Sequence, residues 1–116
     1  MSSEDLKILQ KAYDMVQYGY TVLRQFPKSE RHVLAAEMRS TMVQILRLII
    51  VANRRRQKLP VLHELDVALD LLRLYMRLAK DLGFLPFRQY EHWAKQVNEV
   101  GRMVGGWIRA AVASGH

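Results

Sequence analysis

Residues 62–83 carry two apolar stripes on nearly opposite faces of one helix, and this doubling restricts the chain to a helical bundle with a face left over. The first stripe is Leu62, Leu65, Leu69, Leu72, Met76, Ala79 and Gly83, a run of three- and four-residue steps that sets a helix against bundle neighbours. The second, Val67, Leu71, Leu74 and Leu78, lies two residues away, or about 200° around the helix at roughly 100° per residue. One bundle core does not bury both. A small monomer rarely exposes a contiguous apolar patch above roughly a few hundred Å², so the second stripe is expected to meet a partner subunit.

The same spacing organises the rest of the chain into helices over about 4–26, 30–56, 60–83 and 87–113, forming a single domain over residues 1–116. Ser2, three residues before Asp5, offers a capping-box start to the first helix, and Pro27 stops it. That helix also has two stripes: Leu6, Leu9, Tyr13, Val16, Tyr20 and Leu23, and Ala12, Met15, Gly19, Val22 and Phe26. Ser29 is the expected N-cap of the second helix, whose stripe is Leu34, Met38, Thr41, Ile45, Leu48 and Ala52. Pro60 separates it from the third helix, and Gly83 with Pro86 separates the third from the fourth. The fourth packs through Tyr90, Trp93, Val97, Val100, Val104, Trp107 and Ala111, and residues 113–116 are expected to fray. Short connections between long helices require antiparallel neighbours, so the fold class is all-α, an up-down-up-down four-helix bundle.

Length allows one domain. The absence of cysteine removes disulfides, thiolate zinc sites and cysteine nucleophiles, and fits a cytoplasmic location. The acidic N-terminal string is unlike a targeting peptide, and the longest uncharged stretch, Met15 to Leu23, is far below the ~18 residues of a membrane span. No membrane partner is expected.

Charge is more informative. Of the net +7, residues 27–59 contribute eight basic and two acidic groups, ending in Arg54-Arg55-Arg56-Gln57-Lys58. Arg47, Arg54 and Lys58 share a helix face, with Arg55 and Arg56 fanning beside them and Arg31 and Arg39 preceding them. One or two such residues cap helix carbonyls, but the run exceeds what capping requires. It suits phosphates or an acidic protein surface. No aromatic residue interrupts it, so base stacking and sequence readout are not indicated.

Residues that would carry chemistry are scarce. No glutamate has a histidine three residues later, so the di-iron pattern of helical bundles is missing, and His32, His63 and His92 fall near the starts of three different helices. No nucleophile elbow, phosphate loop or dinucleotide turn is present. The reading is a non-enzyme with no catalytic residue, no metal and no cofactor. In the third helix Asp66, Asp70, Arg73, Arg77, Lys80 and Asp81 form a charged line expected to be a solvated face, in which Asp70 and Arg73, and Arg77 and Asp81, are spaced to pair. Between two apolar stripes, Arg73 and Arg77 also suit interface anchors. Gly101, Gly105 and Gly106 each cost a helix about 1 kcal/mol relative to alanine, which close packing near Trp107 would offset.

The string from Leu65 to Ala79, Gln89-Tyr90, and the segment Glu99-Val100-Gly101-Arg102-Met103-Val104-Gly105-Gly106-Trp107-Ile108 resemble one known group over nearly the whole chain. It is the four-helix-bundle family that includes the accessory variability determinant (Avd) of diversity-generating retroelements and proteins encoded in intervening sequences of bacterial ribosomal RNA genes. The glycine-tryptophan string is the specific part of the match. The resemblance implies a homopentameric barrel with a basic surface that binds RNA or DNA non-specifically. In the retroelement branch it implies partnership with a reverse transcriptase in mutagenic retrohoming, the error-prone copying of template RNA into cDNA. Phosphate contacts then fall to Arg47, Arg54, Arg55, Arg56 and Lys58, and partner contacts to Arg73 and Arg77. The alternative is the ribosomal intervening-sequence branch, as a structural oligomer or protein-interaction module.

Overall fold

Each helix begins or ends where backbone chemistry forces it to. A computed structural model describes the backbone of residues 3–116 and the side chains of residues 7–116, so the capping box expected at Ser2 and the packing expected of Leu6 lie outside the described residues. The first helix, α1, is Ser3–Leu23. It stops short of the expected Phe26 because a residue preceding proline is pushed out of the α region. The chain tightens instead through Gln25 N–H to Val22 O (3.0 Å) and Phe26 N–H to Leu23 O (3.2 Å).

A short 3₁₀ turn, Lys28–Glu30, follows, and α2 spans Leu34–Arg54. Ser29 therefore sits inside the turn and does not cap α2, whose N-cap is Val33 without a side-chain hydrogen bond. Turn bonds from Glu30 N–H to Pro27 O and Val33 N–H to Glu30 O satisfy the backbone that a longer helix would have used. Helix α3 is Leu59–Asp81, with Pro60 in its first turn, and α4 is Phe87–Ser114.

Helices α3 and α4 end alike. Gly83 and Gly115 both take positive φ, the conformation in which a side chain is costly. At the first, Phe84 N–H reaches Ala79 O (2.9 Å) and Gly83 N–H reaches Lys80 O (3.0 Å). At the second, His116 N–H reaches Ala111 O (2.8 Å) and Gly115 N–H reaches Val112 O (3.2 Å). The carbonyl oxygen of His116 then accepts from Lys58 N–H (2.7 Å) and Leu59 N–H (3.0 Å). The expected fraying of residues 113–116 is thus corrected: the segment is bonded to the start of α3.

Neighbours run antiparallel. Lys11 pairs with Glu99 and the Tyr18 ring meets that of His92 at a tilt of 59° between α1 and α4, while Arg73 meets Asn98 and Lys80 lies over Tyr90 between α3 and α4. Packing of α1 on α2, α2 on α3, α3 on α4 and α4 on α1 closes the four helices into one bundle, 46 × 24 × 20 Å in extent. The turn at residues 24–33 and the α3–α4 connection form its upper end. The α2–α3 connection and His116 form its lower end.

Inside, the expected stripe of α2 is buried, as is that of α3 from Leu62 to Ala79, joined by Ala35, Met42 and Ile49, whereas Gly83, expected to end the α3 stripe, is exposed beyond the helix end. In α1 the stripe through Ala12, Met15, Val22 and Phe26 is buried, whereas Tyr13 and Tyr20 are exposed. The cause is Trp93, fully buried on α4: a Cβ at Gly19 would stand 2.5 Å from its Cζ2 and 2.5 Å from Met42 Sδ. Only a bare backbone leaves room for the indole. The outer stripe of α3 stays uncovered within the chain, with Val67 66% and Leu74 59% exposed.

Candidate nucleic-acid interface

The lower end of α2 gathers the densest positive charge. Arg47 and Arg54 lie on the outer face of the helix, interleaved with the exposed Val43 and Ile50 at steps of four, three and four. Arg55 leaves the helix in an extended conformation, its N–H bonded to Val51 O at 3.0 Å, and Arg56 follows in the bend. All four guanidiniums are exposed, and none has a carboxylate partner among the described residues. Like charges so placed repel one another, and a polyanion removes the repulsion.

Lys58 differs from its neighbours. Its Nζ donates to the carbonyls of Ala52 (2.8 Å), Asn53 (3.2 Å) and Arg55 (2.7 Å), closing the C-terminus of α2. Those carbonyls are the ones a helix end leaves unpaired. Its charge is therefore spent inward, and the outward cluster is the four arginines.

Arg73 and Arg77 also diverge. Arg73 Nε donates to Asn98 Oδ1 (3.2 Å) and Nη1 to Asp70 Oδ1 (2.8 Å), so it clasps α3 to α4. Its Nη2 lies against Gly101, where a Cβ would overlap it. Arg77 points outward with only a 4.0 Å approach of Nε to Asp81 Oδ2, both side chains exposed. An exposed pair of that kind contributes little.

The glycines expected to pack divide in the same way. Gly101 accommodates the Arg73 guanidinium, whereas a Cβ at Gly105 or Gly106 would meet only the far end of Arg109, at 3.6 and 3.7 Å. Trp107 is half-buried against the core. Arg102 and Arg109 join Arg73 in lining an open depression beside these glycines. Neither was singled out in the sequence, although their seven-residue spacing places them on one face of α4.

Arg31 and Arg39, which precede the run in sequence, sit at the opposite end of the bundle. The 21 residues of α2 separate the two ends by about 30 Å at roughly 1.5 Å per residue. Among the described residues no group of three or more His, Cys, Asp and Glu is placed to hold a metal ion, and no helix is long and apolar enough to cross a membrane. Burial raises the Tyr18 phenol pKa above its ordinary value.

A search of curated proteins finds no match. A scan against protein families matches residues 6–111 to the family described as bAvd-like. The match runs from α1 through nearly all of α4, taking in both the doubled stripes of α3 and the glycine-tryptophan string, and the chain belongs to the bAvd-like family.

Proposed function

We propose that this chain is an accessory subunit of a diversity-generating retroelement, which binds nucleic acid without base specificity and partners the reverse transcriptase during mutagenic copying of template RNA into cDNA. The bAvd-like match supports the retroelement branch over the ribosomal intervening-sequence branch, and the family is one of accessory, non-catalytic proteins. The observation that carries nucleic-acid binding is the cluster of Arg47, Arg54, Arg55 and Arg56, exposed and without carboxylate partners among the described residues. Guanidiniums on a convex helix end suit successive phosphates, and with no enclosing wall they contact backbone rather than base edges.

Assembly completes the proposal. The outer α3 stripe supports self-association into a homopentamer, which would repeat the arginine cluster around the ring and multiply phosphate contacts. Arg77, held only loosely, is the residue of the pair best able to reach the polymerase, while Arg73 positions the α3–α4 face beside it.

The test is duplex binding across salt concentrations by the Arg54→Ala/Arg55→Ala/Arg56→Ala variant. The slope of log K against log salt should fall by about 2.7 per chain, at about 0.9 per lost phosphate contact on duplex DNA. An unchanged slope and affinity would remove the assigned phosphate role.

A further inference from the structure

We propose that a cationic cavity at the upper end of the bundle is a phosphomonoester site, which takes the terminal phosphate of a nucleotide or of a nucleic-acid strand. The cavity, about 380 Å³, is lined by Arg24, Arg31, His32 and Arg39 together with Tyr20 and Phe26. This volume is on the scale of a small-ligand pocket, for which roughly 300–1,000 Å³ is usual. Along α2, Arg39 lies about 22 Å from Arg54 and about 12 Å from Arg47 at roughly 1.5 Å per residue, so the cavity is separate from the proposed nucleic-acid interface, and the inference goes beyond that function and does not rest on it.

Three separate pieces of chain converge here. Arg24 follows the end of α1, Arg31 and His32 come from the turn after Lys28–Glu30, and Arg39 comes from the second turn of α2. Arg39 Nη2 donates to the carbonyl of Arg31 at 2.8 Å, which fixes its guanidinium against the turn. No carboxylate lines the cavity, and none of these four cationic or titratable groups has an acidic partner among the described residues. The acids nearest in sequence, Glu30 and Glu37, form no ion pair with them. Three guanidiniums facing one concavity without a counter-charge repel one another, and an anion seated among them reverses the sign of that interaction.

The number and shape of the donors select the anion. A phosphomonoester carries about −1.5 to −2 charges near neutral pH and three strong acceptor oxygens, enough to engage three guanidinium forks. A carboxylate offers two oxygens and one charge. An internal phosphodiester also carries one charge, with two free oxygens, and leaves one guanidinium unanswered. Tyr20, 37% exposed, forms a wall with ring face available to a base, whereas Phe26 is buried beneath.

The experiment titrates the full chain with adenosine 5′-monophosphate and with inorganic phosphate, and compares 5′-phosphorylated with 5′-hydroxyl oligonucleotides of one sequence. Saturable monophosphate binding is expected, weakened at least tenfold by Arg24→Gln/Arg31→Gln and changed less than twofold by Arg54→Ala/Arg55→Ala/Arg56→Ala. Both glutamine positions are exposed, and an unchanged unfolding midpoint verifies that the fold persists. If that midpoint falls, Tyr20→Ala serves as the second variant, expected to weaken the nucleotide but not inorganic phosphate. A 5′-phosphate preference that disappears in the glutamine variant identifies a strand end as the source. Monophosphate binding without that preference identifies a free nucleotide. Absence of saturable binding, or equal losses from the upper and lower variants, overturns the proposal; either result leaves the duplex salt slope to be judged separately.

Discussion

Helix α3 gives two leucine-rich faces opposite fates. Leu62, Leu65, Leu69 and Leu72 are 0% exposed, while Leu71, Leu74 and Leu78 on the other side are 38%, 59% and 45% exposed. Spacing and composition are nearly the same on the two faces. Amphipathic period therefore reveals that a face seeks cover, but the cover itself is decided by which surfaces the fold brings up to it. For the inner face these are α2 and α4; for the outer face the bundle supplies nothing comparable.

The sharpest way to break this comparison is to truncate both faces. Leu69→Ala should cost about 3–5 kcal/mol through lost burial and a residual cavity, by the same amount at every protein concentration. Leu74→Asp should leave the isolated chain within about 0.5 kcal/mol, yet lower the unfolding midpoint of concentrated protein, because it acts through assembly. Urea melts at several concentrations separate the two, and a concentration-independent loss from Leu74→Asp would mean its face is already covered.

A second pair sharpens the contrast between spent and available charge. Lys58→Met should destabilise by about 1.5–3 kcal/mol, since its ammonium bonds three helix-end carbonyls, without altering the duplex salt slope. Arg54→Ala should do the reverse, lowering the slope by about 0.9 with little change in the urea midpoint.

The glycines give the smallest effects, with opposite signs. Gly19→Ala should cost about 1–3 kcal/mol because Trp93 and Met42 already occupy the space. Gly105→Ala meets only the far end of Arg109 among the described residues and should gain about 1 kcal/mol of helix stability in the dilute protein. If it instead weakens association, a neighbouring copy approaches that backbone.

These contrasts also mark what the sequence could reveal. The buried stripe of α2 is legible because that helix presents one dominant repeat, and that of α3 because the longer of its two repeats is the one that meets α2 and α4. In α1 two stripes compete: the one containing Gly19 is buried where a tryptophan supplied by α4 needs that gap, while the other keeps Val16 and Leu23 in the core and leaves Tyr13 and Tyr20 exposed. Periodicity along α1 carries no record of that contact. The start of α2 was misread for a local reason: Ser29 has the chemistry of an N-cap, but Pro27 sets up a 3₁₀ turn that uses the same backbone groups first.

The basic residues were legible in number and less so in arrangement. Residues 27–59 read as one concentration of charge, yet α2 carries Arg31 and Arg39 to one end and Arg54 to Arg56 to the other. Lys58 shares a helical face with Arg47 and Arg54 only if the helix continues; it ends at Arg54, and the lysine folds back onto it. Arg73 likewise shares a stripe with Arg77, but Asn98 and Gly101 draw it toward α4. In both cases the deciding partner is distant in sequence or absent from the helical repeat.

Solution mass tests most directly the claim that the outer face of α3 is an assembly surface. Light scattering should give a mass near five times 13.6 kDa for the purified protein and a smaller species for Leu74→Asp with its helical content intact. A wild-type mass of 13.6 kDa at the same concentration would contradict the account, leaving the second stripe without the partner copies that the proposed assembly requires.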